Sequence, residues 1–165
     1  MKLGSTLFLK VIIVFMAIGV FLGLLWFPQT EGRATNLDLV SIYKDPFIIY
    51  IYLSSTLFFV GLYQAFKLLN LIEAGKAFSQ EAVKTLKNMK FASLNLIGLI
   101  ALAVFYIRFA GHGDDPAGPI ALGIIATFTL TVIAATADVA QKLLQNVIKK
   151  SVYHFFSKNK NRDKN

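Results

Sequence analysis

Four stretches without a single charged residue constrain this chain more than any other feature. They cover 11–30, 46–66, 91–107 and 116–137, which is 20, 21, 17 and 22 residues. As helices rising 1.5 Å per residue they extend about 25–33 Å, close to the roughly 30 Å hydrocarbon core of a bilayer. Composition agrees: hydrophobic residues make up 56% and charged residues 16%, where a soluble domain carries about 25% charged. The expected architecture is an all-α membrane protein with four transmembrane helices, over about 8–27, 47–68, 91–108 and 118–139. These form one bundle domain over 1–149, followed by a basic tail over 150–165. The chain has no cysteine, so it offers no disulfide, thiol nucleophile or thiolate metal site.

The runs differ in detail. The first begins after Lys10 and is long for the apolar region of a cleaved signal peptide, so it reads as an uncleaved anchor that Pro28 stops. Gly19 and Gly23 within it form a GxxxG pair, which would either admit a neighbouring helix closely or simply face lipid. Asp45-Pro46 marks the start of the second span, with Pro at the first helical position. Tyr50 and Tyr52 near that start are consistent with an interfacial aromatic belt. Ser54, Ser55 and Thr56 can bond their own helix and need no further role. The fourth span is rich in Ala and Thr, a composition suited to close helix packing.

Charge sets the expected orientation. Of the 17 Lys and Arg, all but Arg33, Lys44 and Arg108 fall in the N-terminal segment, the interval between spans two and three, or the C-terminal region. With four spans these three regions share one side, and the positive-inside rule makes that side cytoplasmic, in a bacterial plasma membrane. The net charge of +8 is then first a topological signal and second an attraction to anionic lipids. Nucleic-acid binding has no support, since no recognition motif is present and the basic residues border the membrane.

The interval 67–90 (KLLNLIEAGKAFSQEAVKTLKNMK) has its own grammar. Gly75 suits a left-handed helix C-cap. Ser79 suits an N-cap, with Glu81 in the following first turn. Phe78, Ala82, Val83, Leu86 and Met89 repeat with a period near 3.6, and Lys84 and Lys87 lie on the other face. The pattern predicts a cytoplasmic amphipathic helix between spans two and three, lying on the membrane surface and running into the third span. Phe78, Val83, Lys84, Leu86, Lys87 and Lys90 would form its membrane or partner face. The alternative is a solvated loop whose lysines snorkel.

Few residues could carry chemistry. With the cytoplasmic ends of the spans level, Lys10, Gln64, Asn95 and Asp138 fall at similar depth, one per helix. They could line a small polar cavity, with Lys10 and Asp138 as an ion pair. Alternatively Lys10 snorkels to headgroups and Asp138 pairs with Lys142 one turn on. His112, Asp114 and Asp115 are metal-capable types in a Gly/Pro turn, but turn chemistry accounts for them. His154, between Tyr153 and Phe155, belongs to an aromatic surface patch. There is no phosphate loop, nucleophile elbow or paired-carboxylate motif, so no enzyme, metal or cofactor is expected. Nor is there an internal repeat of the kind that builds inverted-repeat transporters.

Ile72-Glu73-Ala74-Gly75-Lys76-Ala77-Phe78-Ser79, with Glu81 and Leu86 following, resembles the junction motif of domain-of-unknown-function family 2975. Asp114-Asp115-Pro116-Ala117-Gly118 and Leu143-Leu144-Gln145-Asn146-Val147-Ile148-Lys149 look like that family's third loop and last helix end. The similarity runs from about Phe59 to Lys149, and the first span matches in character only. The resemblance implies a small bacterial four-span membrane protein with no assigned catalytic residues. Members often end in an acidic tail, from which this chain departs with its basic end after Lys150. Some members look to be encoded beside a small helix-turn-helix regulator. Two function classes are then open: a regulatory or interaction protein acting through its cytoplasmic surface, or a small transporter or exporter component using the polar cluster. The lipid bilayer, anionic lipids, a second copy and a cytoplasmic regulatory protein are the partners to consider.

Overall fold

The computed structural model describes residues 3–30, 46–110 and 117–162. They form four helices: α1 (Leu3–Thr30), α2 (Pro46–Glu73), α3 (Gln80–Ala110) and α4 (Ala117–Arg162). Each is long and apolar enough to cross a membrane, over Gly4–Trp26, Ile48–Glu73, Gln80–Phe109 and Ile120–Phe155. The expected all-α, four-span class is therefore what is found. The helices overrun the spans read from the sequence, α4 most of all. Its 46 residues extend about 69 Å, more than twice the hydrocarbon core.

Packing follows chain order. α3 lies most extensively against α4, less so against α2, and α2 touches α1 least. Contacts between non-consecutive helices are marginal among the described residues. The expected bundle is thus an open antiparallel row, with α1 at one edge and α4 at the other. α4 comes close to α3 at Gly123, where a Cβ would stand only 2.5 Å from a Val104 methyl. Ala134 and Ala137 are buried on the same helix. Thr129, Thr131 and Thr136, by contrast, are exposed and donate to carbonyls one turn back. Small residues, rather than the threonines, let these helices meet. A Cβ at Gly19 or Gly23 of α1 would meet nothing within 4 Å, so that pair faces away from the described neighbours.

Two tyrosines explain why α2 sits between α1 and α3. Residues two apart on a helix point about 200° apart. Tyr52 donates to the Leu24 carbonyl of α1 at 2.9 Å, and Tyr50 donates to the Leu99 carbonyl of α3. Leu24 is four residues before Pro28. Pro28 does not end α1, which continues to Thr30, but it has no N–H to return to Leu24. In lipid an unsatisfied carbonyl is costly, and the Tyr52 hydroxyl satisfies it from the next helix. These tyrosines thus join helices, a role beyond the interfacial belt that the sequence suggested. Ser54, Ser55 and Thr56 bond back to Tyr50 and Tyr52 within α2, as expected.

Candidate functional site at the basic end

The α2–α3 turn forms as its residues dictate. Gly75 adopts φ of 71°, the left-handed region that favours glycine. Its N–H donates to Ile72 O at 3.1 Å and the Lys76 N–H to Leu71 O at 2.8 Å, a Schellman closure of α2. Ser79 then caps α3, its Oγ accepting from the Ala82 N–H at 3.2 Å, with Glu81 in the first turn.

The amphipathic helix expected between spans two and three does not exist as a separate element. Residues 80–90 are instead the opening three turns of α3, continuous with its membrane-crossing part. Ala82, Val83 and Leu86 are buried inside the protein, together with Thr85. The apolar face that was expected to lie on lipid is the face by which α3 packs on its neighbours. The reason is solvent. Inside a bilayer, apolar faces gain little by leaving lipid, so the membrane-crossing parts bury few side chains. Lys84, Lys87 and Lys90 make this the polar end of α3, and where such an end meets water the hydrophobic drive returns. Of the expected surface face, only Phe78 (66% exposed), Lys84 and Lys87 are outward; Lys90 turns toward α4.

Ion pairs join each consecutive pair of helices at this end. Lys10 of α1 bonds Glu73 of α2 and lies 5.5 Å from the centre of the Phe66 ring. Lys67 of α2 meets Glu81 of α3 at 3.1 Å. Lys90 of α3 meets Asp138 of α4 at 2.7 Å, and Lys142 completes Asp138 at 2.8 Å from the next turn of α4. The Lys10–Asp138 pair suggested by the sequence is replaced by these. Asp138 does pair with Lys142, the simpler alternative, but Lys10 reaches a carboxylate rather than snorkelling. Asn95 is exposed, its amide donating to Phe91 O at 2.8 Å within its own helix, and Gln64 is half-buried on α2.

Sequence reasoning missed the roles of Glu73, Glu81 and Lys67. One signal was available: each carries charge within two turns of a helix end on the basic side, where an opposite charge on the next helix can reach it. It also missed Gln141, whose Oε1 is buried and accepts no hydrogen bond among the described residues. His112, Asp114 and Asp115 lie outside the described residues.

Four membrane-crossing helices cross-linked in this way define a multi-pass helical membrane protein. The chain belongs to the family described as "Protein of unknown function (DUF2975)", which matches residues 28–151. It is 36% identical over 148 residues to "Uncharacterized membrane protein YoaS" of Bacillus subtilis (strain 168), covering 87% of this chain and 91% of that protein. No solved structure matches the chain. The family match reaches upstream of Phe59, where the motif resemblance begins, and stops inside α4.

Proposed function

We propose that this chain is a non-catalytic interaction or regulatory protein of the bacterial plasma membrane, with its basic end in the cytoplasm. One observation carries the reading. At the basic end the three described carboxylates, Glu73, Glu81 and Asp138, are all consumed by pairs that join helices. Lys76, Lys84, Lys87, Lys149 and Lys150 are exposed, and none pairs with a described carboxylate. Among the described residues this surface therefore has positive charge to offer and no unpaired acid to cancel it. With Lys90 at the hydrocarbon edge, Lys87, about 5 Å farther along α3, lies in the headgroup layer of roughly 5–8 Å, and Lys84, about 9 Å farther, lies at its outer surface. At that level anionic headgroups are the natural counter-charge. The transporter alternative, with a cavity at Lys10, Gln64, Asn95 and Asp138, has less to draw on. Lys10 and Asp138 sit in separate ion pairs, and Asn95 faces outward.

Native mass spectrometry of the protein extracted with mixed phosphatidylcholine and phosphatidylglycerol tests this. The unaltered chain should retain phosphatidylglycerol preferentially. Lys84→Gln with Lys87→Gln should reduce that preference several-fold without altering the fold. An unchanged lipid ratio in the double variant would remove the headgroup reading.

A further inference from the structure

We infer that the chain pairs with a second copy of itself in the membrane through the outward face of α3, the Asn95 carboxamides of the two copies bonding to each other. The inference goes beyond the interaction reading above: it names a partner for the membrane-crossing part and does not depend on the basic end.

Asn95 is a polar group turned away from the rest of the protein. It is the fifth residue of the charge-free run 91–107, about 7.5 Å past Lys90 toward the middle of α3. Its side chain is exposed, and one amide hydrogen returns to Phe91 O at 2.8 Å. The second amide hydrogen and Oδ1 have no partner among the described residues. Acyl chains offer neither donor nor acceptor, so lipid covers the apolar side chains around Asn95 without satisfying Asn95 itself.

The surroundings of Asn95 form a seam. Phe91, Asn95, Gly98, Leu102, Phe105 and Phe109 recur at intervals of four and three, which keeps them on one face of α3. All six are exposed, Phe91 to 54%, Leu102 and Phe105 to 62% and Phe109 to 73%. At 100° per residue they span about 80° of the helix. The neighbouring helices sit elsewhere. Glu81 and Leu99 share one azimuth, and both meet α2; Val104 and Lys90, about 140–180° away, meet α4. The seam occupies the arc that neither neighbour covers.

A second copy is the occupant this face fits. Both copies insert in the same orientation, so a two-fold axis along the membrane normal brings residues of equal depth together. Asn95 then meets Asn95. A carboxamide both donates and accepts, so two of them exchange N–H···O bonds. The four-and-three spacing is the repeat that two parallel helices share, and one inward Asn fixes their register. Gly98, where a Cβ would meet nothing within 4 Å, lets the backbones approach one turn from Asn95. Gly19 and Gly23 of α1 have the same open space but no polar group beside them, so lipid suffices there. Lys84 and Lys87 lie farther along the same face of α3 and oppose pairing. With a crossing angle of about 20° centred on Gly98, the axes at Lys84 stand about 11–12 Å apart. That exceeds the screening length of about 10 Å at 0.1 M salt.

The test places the full chain in phosphatidylcholine vesicles, with donor or acceptor dye on a single cysteine at Ser157→Cys, and follows energy transfer as lipid dilutes the protein. Transfer should persist where chance proximity is negligible. Asn95→Leu, which keeps the seam apolar, should weaken pairing at least fivefold, and Asn95→Gln, which keeps the carboxamide, should retain most of it. Neither should move the thermal melt in dilute detergent, because the bond Asn95 makes lies within its own helix. In separate variants of the cysteine-free chain, Leu102→Cys and Phe105→Cys should cross-link on oxidation. Phe128→Cys, at a position 72% exposed on α4, should not. Transfer that falls to the chance level on dilution would overturn the inference and leave lipid as the cover of this face. Undiminished pairing of Asn95→Leu, or cross-linking of Phe128→Cys as strong as that of Leu102→Cys, would overturn it as well. The vesicles contain no anionic lipid, so failure here leaves the headgroup reading standing, and an unchanged lipid ratio on loss of Lys84 and Lys87 leaves this one standing.

Discussion

Single residues in this protein act by settling backbone groups that lipid cannot settle. Pro28 withholds the N–H that Leu24 would otherwise receive, and the Tyr52 hydroxyl from α2 takes its place. The arrangement converts a helix defect into a contact between helices, at an edge of the row where little else holds α1. Tyr52→Phe should therefore lower stability by about 1 kcal/mol, the scale of interhelical hydrogen bonds in membranes. Pro28→Ala restores the intrahelical donor, so it should recover most of that loss in the Tyr52→Phe background. Unfolding in mixed micelles measures both. Strictly additive effects would show that the two residues do not share the Leu24 carbonyl.

At the scale of elements, α3 carries the most structural information. Its first three turns carry exposed lysines opposite a buried apolar face, and the run that follows carries no charge until Arg108. Apolar periodicity alone reports one face in both regions without saying whether lipid or protein covers it. In the structure protein covers it: Val83 and Leu86 are buried while Lys84 and Lys87 are exposed. Leu86→Ala should cost about 2–4 kcal/mol, as core truncations do, whereas Lys87→Ala should change stability by less than about 0.5 kcal/mol. A helix resting on lipid gives the opposite expectation for Leu86. A thermal melt in detergent, with no bilayer to lie on, separates the two.

For the whole molecule, the row of four helices puts the start of α1, the α2–α3 turn and the end of α4 at one end. Assigning that end to the cytoplasm is a proposal from charge asymmetry, and the absence of cysteine makes it simple to test. Single cysteines at Ser79, Ser157 and Gly113 should divide under an impermeant maleimide. In intact cells only the variant at 113 should react, and all three should react after permeabilisation. Labelling at 79 in intact cells would invert the molecule. It would also place the lysine-rich surface and the end of α4 outside the cell.

How much was legible depends on which forces are local. Four charge-free runs, the Gly75 and Ser79 caps and the Pro46 start depend on helix length and on backbone groups a few residues apart, so reading along the chain recovers them. The family junction at Ile72–Ser79 was legible for the same reason. Pairing was not. Lys10 had several carboxylates within plausible reach, and only the order of helices in the row decided that Glu73, rather than Asp138, is its neighbour. Likewise, periodicity placed Val83 and Leu86 on one face. What that face meets was decided by how α3 packs on its neighbours, which leaves both side chains buried against protein.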